Sequence, residues 1–554
     1  MSDLPGTGLD ETPDRYGAFP RLGDEQLARF RAAGSAREVQ PGEVLFSEGD
    51  VGYDFFVIDS GTVAVVQGYG TEDRVVAVHG RRSFLGELGL LTDSPAVLSA
   101  VVRDAGEVIQ MPADRLRQIV GADEDLSNLI LRAFLSRRSL LIDVGAGVRL
   151  VGSRFSRDSR RLREFLARNR TPYQWMDLED DQDADTLLRA LGIEAAETPV
   201  VIGGRGVLRN PSNGQLAAML GLGSRGPTPA MCDLVIVGGG PGGLAAAVYG
   251  ASEGLDTQAI DGVAFGGQAS TSARIENYLG FPTGISGSEL AERAGLQARR
   301  FGARLVVPAE AVGLTQDDGH YAIELADGVS VNARTIIVAT GAQYRRLDLP
   351  ELERFEGAGV YYAATQSEAQ LCAGDPVLVV GGGNSAGQAA VFLSQHVASC
   401  HLLIRGGDLG KSMSRYLVDE IERCEQVQVL TYTEIDSLRG NDALQTVVVS
   451  DTVTGRRRDL DAKALFVFIG ASPHTDWLRG HVAMDEHGFV LTGRDLHEEQ
   501  LVAYGHDEPY FLETSQPGIF AVGDVHSGSI KRVASAVGEG SMAVRLVHQR
   551  LVGR

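Results

Sequence analysis

A chain of 554 residues is too long for one hydrophobic core and is expected to divide into about three or four domains. A formal net charge of −22 argues against nucleic acid or an anionic membrane as a primary partner. No apolar run reaches the length of a membrane span, Met1–Pro5 is neither basic nor apolar, and the cysteines (Cys232, Cys372, Cys400, Cys424) are spaced for neither a C-x-x-C pair, a disulfide framework nor a structural zinc site, so a soluble cytoplasmic protein without a metal site is expected.

The first 145 residues begin with a polar, acidic, proline-bearing stretch to Tyr16. A helix is expected over Asp24–Ala33, then short strands at Glu43–Phe46, Asp54–Ile58, Thr62–Val66 and Arg74–Val78 between glycine turns, the spacing of a β-roll or barrel. From Pro112 the pattern is helical, with Leu126, Leu129, Ile130 and Phe134 on one face. Pro41–Asp50, Ser60-Gly61 and Phe84-Leu85-Gly86-Glu87-Leu88 resemble a cyclic-nucleotide-binding domain. The resemblance implies that Gly86 and Glu87 meet the ribose of a regulatory nucleotide, and that an Arg about ten residues later pairs with its phosphate through a charge-assisted bidentate contact. Thr92–Val102 holds no Arg, and Arg103 comes too late. A roll with another ligand, or none, is therefore the favoured expectation, with the long helix after it as a dimer contact.

Residues 146–224 read as strand (Val148–Val151), helix (Ser159–Asn169), strand (Tyr173–Met176), helix (Asp183–Leu191), strand (Thr198–Ile202) and helix (Asn213–Leu220). With Thr198-Pro199 placed as a cis-proline loop, this order resembles a thioredoxin or glutaredoxin fold. In that family a C-x-x-C pair opens the first helix; here the place reads Ser156-Arg157-Asp158-Ser159, and hydroxyls cannot exchange disulfides. The expectation is a redox-dead α/β domain that serves as a docking surface or as a spacer.

A Gly/Pro linker, Gly223–Pro229, leads into the stretch around which the rest is organised. Leu234–Val237 reads as a buried strand that turns at Gly238-Gly239-Gly240-Pro241-Gly242-Gly243 into a helix, with Asp261 ending a second strand, Thr257–Ile260. Gly238 allows the tight turn, Gly240 lets a pyrophosphate approach the backbone and Gly243 lets helix and strand pack closely. The helix N-terminus then favours the anion. Further along come Gly266-Gly267-Gln268, Ile275–Gly280 with Asn277, a strand into Ala339-Thr340-Gly341, a second unit Val377–Val380 turning at Gly381-Gly382-Gly383-Asn384-Ser385-Ala386, and Gly518–Asp524, a strand that ends in Gly523-Asp524. Two such turns imply two dinucleotides, one best read as FAD and one as a nicotinamide cofactor.

Together these motifs resemble low-molecular-weight thioredoxin reductases from Asp233 to Leu551. The overall fold class expected is multidomain: a β-roll with helices, a thioredoxin-like α/β domain, then two Rossmann-like α/β dinucleotide-binding domains. The resemblance implies an FAD domain in two parts, 230–344 and 472–554, with an NAD(P)H domain, 345–471, inserted between them. It implies that Gly238, Gly240, Pro241, Gly242 and Gly243 hold the FAD pyrophosphate and Asp261 the adenosine ribose. Gln268 and Asn277 would lie near the flavin, Gly267, Thr340 and Gly341 would also bind the cofactor, and Gly523-Asp524 would meet the ribityl chain. Val533 and Ala534 would offer backbone N–H groups to the isoalloxazine, where negative charge develops. Gly381, Gly383, Asn384, Ser385 and Ala386 would hold the second dinucleotide, with Arg405, Lys411 and Arg415 as cations for a 2′-phosphate. NADPH is accordingly expected ahead of NADH.

The redox disulfide of thioredoxin reductases precedes the second turn as C-A-T-C. The matching positions here hold Ala363 and Gln366, and Cys372 stands alone nearby, so Cys372 is expected to be a packing residue and no catalytic cysteine is assigned. His474 and His526 lie near the flavin motifs, where each is either a proton carrier or a structural residue. Three readings are open: an NAD(P)H-dependent flavin oxidoreductase with a non-disulfide acceptor, a flavin or nucleotide sensor with little turnover, and a thioredoxin reductase that uses cysteines from elsewhere. A homodimer and an unidentified electron acceptor, such as a redox protein, are the expected partners.

Overall fold

The apolar runs and glycine turns that follow Ser35 close into two antiparallel sheets. In the computed structural model, which describes residues 10–552 apart from 69–73, 93, 223–230, 273, 276–277, 318, 357, 363, 365, 442 and 506, one sheet runs Ser35–Val39, Gly106–Met111, Phe55–Ile58. The other runs Val44–Phe46, Ser99–Asp104, Thr62–Gln67, Arg74–His79. Helix Asp24–Ala33 has the bounds expected of it. Strands Ser35–Val39, Ser99–Asp104 and Gly106–Met111 were not expected. The first carries charges outward and shows no clean alternation, so periodicity could not find it. Phe30, Phe55, Phe84 and Phe134 form a chain of ring contacts with centroids 5.4, 5.7 and 6.1 Å apart, which seats helices Asp24–Ala33 and Glu124–Asp143 against the roll.

Contact density divides the chain into Met1–Gly226 with Leu305–Pro308, and Pro227–Arg304 with Ala309–Arg554. The first unit also contains the small α/β segment. Its sheet runs Gly206–Arg209, Val200–Gly203, Val148–Gly152, Tyr173–Asp177, with the last two strands parallel and the others antiparallel. Helices Arg157–Arg168, Gln182–Ala190 and Asn213–Leu220 cover it, and the Thr198–Pro199 peptide is cis. The hairpin strand Gly206–Arg209 adds to the expected order; it is largely exposed and has no inward stripe to betray it. Roll and α/β segment are in contact: the Gln67 side chain donates to the Gly147 carbonyl at 3.0 Å, and Leu98, Leu141 and Ala146 share one apolar cluster. The Gly223–Pro229 linker lies outside the described residues, and no helix among those described is long and apolar enough to cross a membrane.

In the second unit the run Leu234–Val237 is buried on both faces, as a central parallel strand must be. Strand Cys232–Val237 pairs in parallel with Thr257–Ile260 on one side and Ser330–Val338 on the other, and Ile519–Ala521 joins Ser330–Val338 in parallel. A meander, Ala311–Asp317 and His320–Leu325, continues the sheet from Ser330–Val338. Strands Ala342–Tyr344 and Ala471–Pro473 pair antiparallel where the chain leaves this sheet and returns to it. Between them lies a second parallel sheet in the order Val360–Tyr361, Ala464–Val467, Pro376–Val380, Ser399–Leu403, Val427–Leu430, with a separate meander over 433–461.

Candidate functional site

Both glycine turns sit at the carboxyl ends of central parallel strands, where open α/β sheets bind ligands. At the first, Gly238 has φ +107, and a Cβ there would lie 2.3 Å from the Ala339 carbonyl oxygen. A Cβ on Gly243 would lie 1.9 Å from the Gly238 carbonyl oxygen, so helix Pro241–Ser252 can touch the turn only through a hydrogen. Gly240 differs. It caps this helix in extended backbone, with Pro241 at the first helical position, and a Cβ there would meet nothing within 4 Å. Among the described residues nothing sterically requires glycine at 240. The open space above an N-terminal turn of free amides is what a pyrophosphate needs. Gly242 faces helix Val533–Val552, where a Cβ would stand 3.2 Å from the Ala536 carbonyl oxygen.

Three segments converge on this turn. Gly267, with φ +55, approaches so closely that its Cβ would stand 2.8 Å from the Gly240 Cα. Gln268 follows and donates to the Ala342 carbonyl, so its side chain ties the segment to the exit strand. Thr340 donates to the His474 carbonyl at 2.8 Å, and the His474 amide donates to the Gly341 carbonyl at 3.2 Å, which joins the two connecting strands. Asn277 lies outside the described residues. Asp261, expected at a ribose, has structural contacts of its own. Its Oδ2 accepts the Gly239 amide at 2.8 Å, and its Oδ1 accepts the amides of Val263 and Ala264 at 2.9 and 3.0 Å. The carboxylate therefore shapes the glycine turn, with about one acceptor position left for a ribose hydroxyl.

The Gly523-Asp524 turn closes the same site. Gly523 has φ +71 and donates its amide to Glu539 Oε2 at 2.6 Å, and burial pushes the half-buried Asp524 carboxyl up. Val533 and Ala534 begin helix Val533–Val552, whose first amides lack intrahelical partners. The Glu539 contact went unforeseen because no spacing rule links a mid-helix carboxylate to a turn sixteen residues earlier.

The second turn repeats the first. Gly381 has φ +143, a Cβ there would lie 2.2 Å from the Phe468 carbonyl oxygen, and Gly383 caps helix Asn384–Ser394 with open space around it. Ala386, in the third-glycine place, is fully buried, and a Cβ on Gly381 would stand 3.1 Å from its methyl. Ser385 is exposed on the first turn of the helix. Asn384 accepts the Ser414 amide on Oδ1 at 2.7 Å, and Ser412 Oγ donates to the Gly382 carbonyl at 2.9 Å, so residues 412–414 clasp the turn. Asn384 is thus also a structural ligand of its own loop. Arg405 and Lys411 are exposed beyond strand Ser399–Leu403, whereas Arg415 pairs with Asp419 at 2.8 Å. Asp408, which the sequence reading passed over, caps the following turn by accepting the Gly410 amide at 2.8 Å. Two glycine cradles open to an anion, each at a helix N-terminus, fit two dinucleotides.

Neither Cys372 nor Cys400 is poised for exchange. Cys372 is buried and donates its S–H to the Glu368 carbonyl at 3.0 Å, and burial pushes its thiol up to about 11. Cys400 is pushed up to about 12 for the same reason. Ala363 lies outside the described residues, and Gln366 opens helix Gln366–Leu371. In the roll, Glu87 is buried; its carboxylate approaches the Gly89 and Val97 amides without a hydrogen bond of normal geometry, and burial pushes it up. Gly86, with φ +112, gives its carbonyl to Arg137 at 2.6 Å. Where a phosphate-binding Arg was sought, Ala96 is buried and its backbone pairs with Gly49 and Asp50.

Comparison with known proteins follows this division. Residues 232–540 match the pyridine nucleotide-disulphide oxidoreductase family, and residues 36–123 match the cyclic nucleotide-binding domain. A thioredoxin reductase of Mycolicibacterium smegmatis is 33% identical over 312 residues, 56% of this chain and 94% of its own length. The 34.2 kDa protein in the rubredoxin operon of Clostridium pasteurianum is 30% identical over 322 residues, 58% of this chain and 98% of its own. The crystal structure of Lactococcus lactis thioredoxin reductase superposes with a TM-score of 0.53 at 26% identity, covering 58% of this chain and 100% of that one. Thioredoxin reductases as a family use FAD and NADPH, and both cradles fit that pair. The chain belongs to the pyridine nucleotide-disulphide oxidoreductase family, is thioredoxin-reductase-like across its FAD and NADPH regions, and carries an N-terminal cyclic nucleotide-binding domain.

Proposed function

We propose that this protein is an NADPH-dependent flavin oxidoreductase whose electrons leave for an acceptor other than a protein disulfide: oxygen, a quinone, an iron–sulfur protein or a partner flavin. The observation that carries this reading is a mismatch. Both dinucleotide cradles are intact, while the positions that thioredoxin reductases give to their disulfide hold Ala363 and Gln366, and the nearby Cys372 is buried with a raised pKa. FAD, when bound, supplies hydride acceptance from NADPH and onward electron transfer.

The chain's own part is to hold and orient. The amides of the Gly238–Gly243 turn and the N-terminus of helix Pro241–Ser252 take the FAD pyrophosphate. Asp261 fixes the shape of that turn, Gly523-Asp524 takes the ribityl chain, and the start of helix Val533–Val552 presents N–H donors at the flavin ring. Gly381–Ala386 takes the NADPH pyrophosphate, with Arg405 and Lys411 as cations for its 2′-phosphate and Arg415 as a third, in exchange with Asp419. The small α/β segment, with serines at 156 and 159 and the cis Thr198–Pro199 peptide, is read as a thioredoxin-like domain without redox chemistry. A cytoplasmic homodimer regulated through its N-terminal domain belongs to the same reading.

Anaerobic stopped-flow tests it. Mixing with NADPH is expected to bleach the oxidised-flavin band rapidly, more slowly with NADH, and reoxidation by candidate acceptors then identifies the outlet. Absence of bleaching with either nucleotide would move a second reading forward, a sensor with little turnover. That reading is favoured by the cyclic nucleotide-binding domain fused ahead of the flavoprotein region. Reduction of thioredoxin by the unmodified protein would overturn the non-disulfide outlet and favour cysteines supplied by a partner.

A further inference from the structure

The contacts of His526 call for a charge that the family chemistry does not. The ring is 8% exposed. Its Nδ1 lies 2.8 Å from the Ser527 carbonyl oxygen, and its Nε2 lies 3.1 Å from Glu539 Oε2. A carbonyl and a carboxylate only accept, so both ring nitrogens must donate, and only the imidazolium carries two N–H groups. Glu539 Oε2 is also the oxygen that accepts the Gly523 amide at 2.6 Å. One carboxylate oxygen thus joins the imidazolium of His526 to the turn that holds Asp524.

We infer that His526, as a cation, is a positioning residue for FAD: through Glu539 it sets the Gly523-Asp524 turn, so that flavin binding weakens as the ring loses its proton. This rests on that turn lying at the flavin. The charged groups around the ring are Glu539 from helix Val533–Val552, Asp524 from its own turn, Asp495 from the short helix Gly493–Asp495, Lys531 beside Asp524, and Asp485, which accepts the Ser527 hydroxyl at 2.8 Å. Acids outnumber the one lysine. Burial opposes the charged ring, but the bond and the charge of Glu539 with the Ser527 carbonyl overcome it, and the net shift is upward from 6.5. The sign follows: a raised folded-state pKa means that the cationic contacts are complete below the ordinary histidine value and are lost as pH rises through the folded-state value. When the ring becomes neutral one donor is gone, and either Ser527 or Glu539 loses its partner.

The test is FAD binding to the full-length apoprotein, read as quenching of flavin fluorescence between pH 6 and 9, with no turnover required. For the native chain the dissociation constant is expected to rise roughly fivefold across this range, as one charge-assisted bond is lost. His526→Gln is expected to bind with the weaker constant at every pH, and His526→Lys, a cation throughout, to bind tightly with little dependence. A flat profile for the native chain, or a His526→Gln variant that keeps the profile, overturns the inference. Failure of the native chain to bind FAD at any pH would instead sink the assignment of the flavin site.

Discussion

Gly240 and Gly243 look equivalent in a motif and are not equivalent in the fold. At Gly243 a methyl would meet the Gly238 carbonyl oxygen at 1.9 Å, a clash between two backbone segments that neither can relieve by a rotamer change. Gly243→Ala is therefore expected to destabilise the apoprotein by about 2–3 kcal/mol, the scale of overpacking a tight contact. At Gly240 a methyl would meet nothing within 4 Å, and the backbone there is extended. Gly240→Ala is expected to leave apoprotein stability within about 0.5 kcal/mol, as for an open surface site. It should nevertheless weaken FAD binding by at least about tenfold, because the methyl occupies the approach of the pyrophosphate to the helix amides. Thermal denaturation of the apoproteins and FAD titration separate the two effects. A Gly240→Ala variant with native FAD affinity would place the pyrophosphate elsewhere. The contrast also marks what the sequence could show at this scale. Gly238 and Gly243 were legible because steric demand leaves only one residue type there, and Gly240 because the motif places it between them. The Asp261 contacts to three amides and the Glu539–Gly523 bond were not, because they join residues that only the folded chain brings together.

Helix Val533–Val552 ties the flavin region together as an element. Its N-terminal residues are the ones proposed to meet the flavin, Glu539 holds the Gly523 amide, and near its end Arg550 donates to the fully buried Glu513 through Nε at 2.8 Å and Nη2 at 2.6 Å. Glu513 also accepts the amides of Gly518 and Tyr510 at 2.7 and 3.0 Å, so the pair pins the loop that leads into strand Ile519–Ala521. The guanidinium lies 4.9 Å from the Tyr510 ring and 5.6 Å from the Tyr504 ring. Arg550→Met would keep much of the volume and leave Glu513 buried without its cation. The expected cost is about 3 kcal/mol, the low end for breaking a buried pair, since two amides remain. Adding Glu513→Gln should recover part of it, a coupling that chemical denaturation of the single and double variants would read out. Equal losses in all three variants would mean that the pair contributes packing rather than charge. Among elements generally, those with a strong stripe or a capping signal were readable: Asn213–Leu220 begins at its Ser212 cap and ends at Gly221, and Thr257–Ile260 is buried throughout. The meander over 433–461 escaped because strands such as Arg457–Asp461 are almost wholly exposed and charged, so no period-2 apolar pattern marks them off from loop.

For the molecule as a whole, the question is whether electrons pass through sulfur at any point. The four cysteines bear on this together. Cys372 and Cys400 are buried, with thiols pushed up by burial to about 11 and about 12. Cys232 is also pushed up, by burial against the partial relief of Arg304, whose guanidinium donates to its sulfur at 3.2 Å. Cys424 is the one half-buried cysteine, with its S–H directed to Ser394 Oγ at 3.2 Å. The thiolate is the reactive form, and a thiol of pKa near 11 is ionised to only about one part in a thousand at pH 8. Iodoacetamide at pH 8 is therefore expected to modify Cys424 first and Cys372 at least about a hundredfold more slowly in the native protein, as mass mapping over time would show. NADPH oxidation by the holoprotein should be unchanged after this first modification and unchanged in Cys372→Ala, because the proposed path runs from nicotinamide to flavin to an external acceptor with no thiol between. If turnover falls in step with Cys372 modification, a thiol belongs to the path, and the non-disulfide outlet is wrong. If turnover persists with every cysteine modified in partly unfolded and refolded protein, the family's disulfide relay has no remaining candidate within this chain.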